Sequence, residues 1–113
     1  YVSGYFLCSN NYLITLKGSP RIIGHNFSCT NNNITSLIEG PDRVGGFYYC
    51  NNNNLESLIG SPKVNERFEC FGNHLKSLDG YKGNLDLLYC DNRDILVSKF
   101  KRKEKIRLIS ELL

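Results

Sequence analysis

The chain has 113 residues, with 14 Lys and Arg against 11 Asp and Glu for a formal net charge of +3. One domain is expected at this length, and so even a balance excludes both a wholly basic nucleic-acid binder and a wholly acidic solvating chain. Five Cys, 14 Asn and no Ala, Gln, Met or Trp make poor material for a helical bundle.

Tyr1 to Ser3 lead straight into a repeating pattern with no capping segment. Either a short lead-in precedes them or the chain is the C-terminal part of a longer protein. No basic-then-apolar leader opens the sequence. No apolar run reaches the ~18 residues of a membrane span, so no membrane partner is expected.

The pattern is set by Cys8, Cys29, Cys50, Cys70 and Cys90, spaced 21, 21, 20 and 20 residues apart. A fixed period of this size is the signature of a solenoid. Two residues before each Cys stands Phe6, Phe27, Tyr48, Phe68 or Leu88. Three after comes Asn11, Asn32, Asn53 or Asn73, with Arg93 breaking the column. Five after comes Leu13, Ile34, Leu55, Leu75 or Ile95, and eight after comes Leu16, Leu37, Leu58 or Leu78. A corner follows, with Gly18, Gly40, Gly60 and Gly80 and the three prolines Pro20, Pro41 and Pro62. Ile22 and Ile23, Val44 and Val64 then resume the apolar pattern.

The F-x-C pair shares one face of a short strand, because side chains alternate along a strand. Stacked in parallel, one strand per repeat gives a sheet. The large residue and the Cys are expected to point inward, Cys acting as a small buried hydrophobe. The G-x-P corner sends the chain back along the other side, where only extended or 3₁₀ pieces have room. About five turns are expected, over residues 1–96.

Beyond Asp94 the columns dissolve. Phe100, Ile106, Ile109, Leu112 and Leu113 recur at helical spacing. An amphipathic helix over 97–112, within a C-terminal segment 97–113, is expected to lie over the last repeat as a cap. Residues 99–113 carry six basic and two acidic side chains, a net +4, and residues 1–98 a net −1. Lys99, Lys101, Arg102, Lys103 and Lys105 are therefore candidates for contacting phosphate or an acidic partner. They serve equally as the solvated side of a capping helix.

The stretch F-x-C-x-x-N-x-L resembles the leucine-rich-repeat core, with Cys in the place of the second Leu, over residues 4–98. Similar short repeats occur in bacterial effector proteins, and closer ones in tailed-bacteriophage proteins. The resemblance implies a concave face of short parallel strands, a convex side without full helices, and an Asn ladder bonded to the backbone at the turn. The sequence has no Gly-rich phosphate loop, H-E-x-x-H or paired-carboxylate motif, so a binding protein rather than an enzyme is expected; the resemblance to phage repeats suggests a viral protein acting on a host factor. A repeat segment of a larger virion component is the structural alternative.

Zinc sites pair their cysteines at short spacing, and no two Cys here lie closer than 20 residues. A buried thiol ladder accounts for all five. It needs no metal or cofactor and implies reduced thiols and a cytoplasmic setting. His25 and His74 read as surface residues, with no partner placed to build a triad. Asn26 and Asn33 open glycosylation sequons that fall inside the repeat core and are discounted. The residues flanking the inward pair face outward and vary. In repeats three to five they gather Phe47, Tyr49, Arg67, Glu69, Phe71 and Tyr89. Aromatic and Arg side chains are enriched at binding hot spots, so these six form the candidate surface for a protein partner.

Overall fold

The computed structural model describes all 113 residues. It is a parallel-strand β-solenoid of about four turns, closed by one C-terminal helix. Each pass places β1 (Phe6–Leu7), β3 (Phe27–Ser28), β5 (Tyr48–Tyr49), β7 (Phe68–Glu69) and β8 (Leu88–Tyr89) side by side in one five-stranded sheet. Five strands bound four complete turns, one fewer than the cysteine count suggests. The register follows the sequence columns: Phe6, Phe27, Tyr48, Phe68 and Leu88 lie opposite one another. Backbone hydrogen bonds run past the short strands, as from Cys29 N to Tyr49 O and from Asn31 N to Asn51 O, at 2.9 and 3.0 Å.

The return side holds a second parallel sheet of β2 (Ile22–Ile23), β4 (Arg43–Val44) and β6 (Lys63–Val64). In the last turn a 3₁₀ helix, Leu85–Leu87, stands near β8, with Asn84 Oδ1 accepting from Asp86 N at 2.8 Å. Outside the five-stranded sheet the chain runs as extended pieces and this one 3₁₀ turn until the C-terminal helix begins.

The core lies between the two sheets. Phe27, Tyr48 and Phe68 are fully buried and stacked, with ring centroids 4.9 and 4.6 Å apart. Phe6 continues the stack at 6.0 Å, and the Tyr81 ring closes it edge-on against Phe68 at 5.4 Å. Burial raises the Tyr81 phenol to about 12. Ile23, Val44, Leu37, Leu58 and Leu78 fill the space beside the rings. A repeat of this size cannot bury its apolar side chains alone, so each turn depends on its neighbours. The first turn shows the consequence: Phe6, Cys8 and Leu13 are only partly buried.

The Asn column forms the expected ladder. Asn53 Nδ2 donates to Cys29 O and Cys50 O, both at 3.1 Å, and Asn53 Oδ1 accepts from Ile34 N at 3.0 Å. Asn32 and Asn73 repeat the scheme. Arg93 cannot extend it, because a guanidinium has no acceptor.

A second ladder runs beside it. Asn10, Asn31, Asn52, Gly72 and Asn92, each two residues after a Cys, all have positive φ between 55° and 66°. Asn tolerates this left-handed region better than other side chains. Asn31 Nδ2 donates to Asn10 Oδ1 at 2.8 Å, and Asn52 Nδ2 to Asn31 Oδ1 at 3.0 Å.

Helix α1 (Arg93–Glu111) begins four residues before the expected position 97. Arg93, its first residue, anchors that end of the helix to the last turn. Its side chain folds back so that Nε donates to Leu88 O at 2.8 Å and Nη2 to Leu85 O at 2.6 Å. The cap is also smaller than expected. Leu96 and Val97 are buried and Phe100 is half-buried, whereas Ile106, Ile109, Leu112 and Leu113 are exposed. Only the first turns of α1 cover the solenoid; the remainder projects past it. No helix is long and apolar enough to cross a membrane.

Candidate functional site

The outward face of the five-stranded sheet carries, in register, Leu7, Ser28, Tyr49, Glu69 and Tyr89. Glu69 therefore stands between two tyrosines. Arg67, two residues earlier on the same side, lays its guanidinium over the Tyr89 ring at 3.8 Å. Such a contact contributes on the order of 1 kcal/mol and fixes the geometry of both groups. Arg67 Nε lies 2.9 Å from Glu69 Oε2, but its N–H is not aligned on that oxygen, so the contact is an ion pair rather than a hydrogen bond. Phe47 packs edge-on against Tyr49 with centroids 5.8 Å apart. Burial, then the nearby Glu69 carboxylate, raises the Tyr49 phenol above its ordinary pKa.

Asn51 ties these groups together, a role that sequence reasoning passed over. Its Nδ2 donates to Glu69 Oε1 at 3.3 Å and its Oδ1 accepts from Phe71 N at 2.7 Å. The signal available was its place directly after Cys50, which puts it on the outward face. Phe71, the equivalent residue one turn later, is 38 % exposed. The structure thus links Phe47 to Tyr49, and Arg67 to Glu69 and Tyr89, with Phe71 joined through its backbone. Towards the first turn the same face changes character. Ser9 and Ser28 share a 2.6 Å hydrogen bond, while Tyr5 and Leu7 stand exposed beside them.

Four surface hollows of about 220 to 300 Å³ dent the molecule, and none is lined by these six residues. The aromatic patch is a surface and not a cleft. Small-molecule sites are concave and enclose most of their ligand, so this patch suits a broad contact.

The helix cations divide. Lys103 Nζ is 3.3 Å from Asp79 Oδ1 and tethers α1 to the solenoid. Arg107 pairs with Glu104 and Glu111 at 2.9 and 2.7 Å. Lys99, Lys101, Arg102 and Lys105 make no ion pair. The sequence grouped Lys103 with them as a free contact residue; its tether sets it apart.

The five thiols form a column and none is in a disulfide. Cys29, Cys50, Cys70 and Cys90 are buried, and Cys8, in the first turn, is half-buried. Burial raises the thiols of Cys29, Cys50 and Cys8; for Cys70 the adjacent Cys50 thiol comes first and burial adds to it. No group of three or more His, Cys, Asp and Glu is placed to hold a metal ion. The His25 ring lies 5.4 Å from that of Tyr5, and both histidines are exposed. Comparison with known proteins finds no matching family model, curated sequence or solved structure.

Proposed function

We propose that the chain is a non-enzymatic binding module of leucine-rich-repeat type, which docks a protein partner on the outward face of its five-stranded sheet. The observation that supports this most is the set formed by Phe47, Tyr49, Arg67, Glu69, Phe71 and Tyr89. Phe47 with Tyr49, and Arg67 with Glu69 and Tyr89, already hold one another in place in the free protein, so these side chains have little rotamer freedom left to lose on docking. Glu69, held between Arg67 and Asn51, gives the patch a polar centre that can select for a complementary donor. By the likeness of its repeats to those of tailed phages, the partner is a host factor and the setting a host cytoplasm, which suits unpaired thiols. That last step rests on analogy of sequence alone.

The test is partner capture by the purified protein, with Tyr49→Asp and Phe71→Asp set against neutralisation of Lys101, Arg102 and Lys105. Loss of capture in the first pair, with unchanged thermal unfolding, and retention in the second supports docking on the sheet. The opposite pattern refutes it. Four helix cations without ion-pair partners favour a second reading, nucleic-acid association through α1. That reading requires affinity to fall steeply with salt, because bound phosphates release counterions.

A further inference from the structure

The second sheet brings like charges together. Strands β2, β4 and β6 set Ile22, Arg43 and Lys63 in register. Arg43 and Lys63 are both exposed, on neighbouring strands about 4.8 Å apart. Like charges directly opposite each other destabilise a sheet, and neither residue has an acidic partner. In the next turn Lys82 lines the same hollow, of about 300 Å³, as Arg43 and Lys63. Arg21 is also on its wall but is spent on Asp42, which it grips at two points: Nε to Oδ2 at 3.2 Å and Nη2 to Oδ1 at 3.0 Å. Glu39 is the one other acid lining the hollow. The hollow thus holds four cations against two carboxylates, with Arg43 and Lys63 unpaired and Lys82 within the field of Asp42, on the side of the solenoid away from the aromatic patch.

We propose that Arg43, Lys63 and Lys82 form a binding site for a compact multivalent oxyanion of the tripolyphosphate class. The stacking of the turns favours a ligand with more than one anionic group. The β4 and β6 backbones lie about 4.8 Å apart, so Arg43 and Lys63 are placed to take neighbouring phosphates of one short polyphosphate chain. Arg43 offers a planar fork that fits a phosphate at two points, and Lys63 and Lys82 supply mobile point charges. A bound anion removes the repulsion that the free protein carries between Arg43 and Lys63. A single orthophosphate spans one turn only and gains less.

The experiment measures binding and thermal unfolding at low ionic strength, with sodium tripolyphosphate and orthophosphate as the probes. Tripolyphosphate is expected to raise the unfolding temperature clearly and orthophosphate to raise it less. The double variant Arg43→Gln, Lys63→Gln is expected to weaken tripolyphosphate binding about tenfold or more, since two charge-assisted contacts are lost together. The same variant, without ligand, is expected to unfold at a higher temperature than the parent at low salt, because its repulsion is gone. A variant with Lys99, Lys101, Arg102 and Lys105 changed to Gln is expected to bind as the parent does. No stabilisation by tripolyphosphate at millimolar concentration overturns the proposal. So does binding that survives the Arg43 and Lys63 changes, or that is lost with the helix cations instead.

Discussion

The rings of Tyr48 and Phe68 stack 4.6 Å apart and within 12° of parallel, at the centre of a column otherwise built from phenylalanine and leucine. Tyr48 differs from its neighbours by one atom, and that hydroxyl is buried with no hydrogen-bond partner in the protein. An unsatisfied buried donor costs about 1–3 kcal/mol. Tyr48→Phe keeps the stack and removes the cost, so it is expected to stabilise the fold by about 1 kcal/mol. Urea unfolding of the two proteins checks this, and a less stable variant contradicts it.

The two Asn ladders should respond differently to mutation. Asn53 satisfies two carbonyls and one amide that are buried between turns. Asn53→Ala strands the Ile34 amide and takes one of two side-chain donors from each carbonyl, since Asn32 still donates to Cys29 O and Asn73 to Cys50 O; it is expected to cost about 2–3 kcal/mol. Asn52 is exposed, and its main service is to tolerate φ of 56°. Asn52→Gly is expected to change stability by no more than about 0.5 kcal/mol, whereas Asn52→Ala costs about 1 kcal/mol in a left-handed position. Equal losses at both sites would contradict this division.

The inner ladder was legible in the sequence because its column has one chemical role and one residue type. The outer ladder was not, because it mixes Asn with Gly72, and what those two residues share is a backbone angle rather than a side-chain property. The face bearing Tyr49 and Tyr89 followed from strand alternation, but the clamp made by Asn51 depends on which rotamer reaches Glu69. The extent of the cap was misjudged for a related reason. Helical spacing shows that Ile106 and Ile109 share a side of α1 with one another; it does not show that the solenoid reaches that far.

Glu39 gives a sharper case of columns misaligned by one residue. Gly18, Gly60 and Gly80 have φ near 90°, and the residue in their place in the second repeat is Glu39 at 74°, with Gly40 one position later. A side chain in this region costs about 1–2 kcal/mol that glycine avoids. Glu39→Gly is expected to stabilise the fold by about 1 kcal/mol, the remainder going to the greater freedom of an unfolded glycine. Gly40→Ala should do the reverse. Its added Cβ would meet Leu16 Cδ1 at 2.8 Å and Leu37 O at 3.0 Å. Thermal unfolding of both variants tests the assignment.

The cap on the last turn is short, so truncation should discriminate along α1. Leu96→Ala opens a void against the last turn and is expected to cost about 2–3 kcal/mol. Removing residues 106–113 takes away exposed apolar side chains and the Arg107 pairs on the helix surface, and is expected to cost less than about 1 kcal/mol. A large loss on truncation would show that the distal helix packs on the solenoid after all.

The thiol column ties stability to pH in one direction. Below the ordinary thiol pKa of 9.0, folded and unfolded chains both hold the protons, and stability is flat. Above it, the unfolded chain releases protons that buried Cys29, Cys50 and Cys70 retain, because burial and the neighbouring thiols raise their folded pKa values. The unfolded state then binds fewer protons than the folded one, so unfolding becomes easier as pH rises. Between pH 9 and 10 the loss is expected to be on the order of 1 kcal/mol for each buried thiol, and Cys50→Ala should flatten the slope by one such step. Urea titrations from pH 7 to 10 under reducing conditions measure it. The same burial predicts an order of alkylation: half-buried Cys8 reacts first in the native protein, and the other four react at the rate of unfolding. A flat pH profile together with rapid native labelling of Cys50 would place the thiols outside the core and overturn the inward column on which the fold rests.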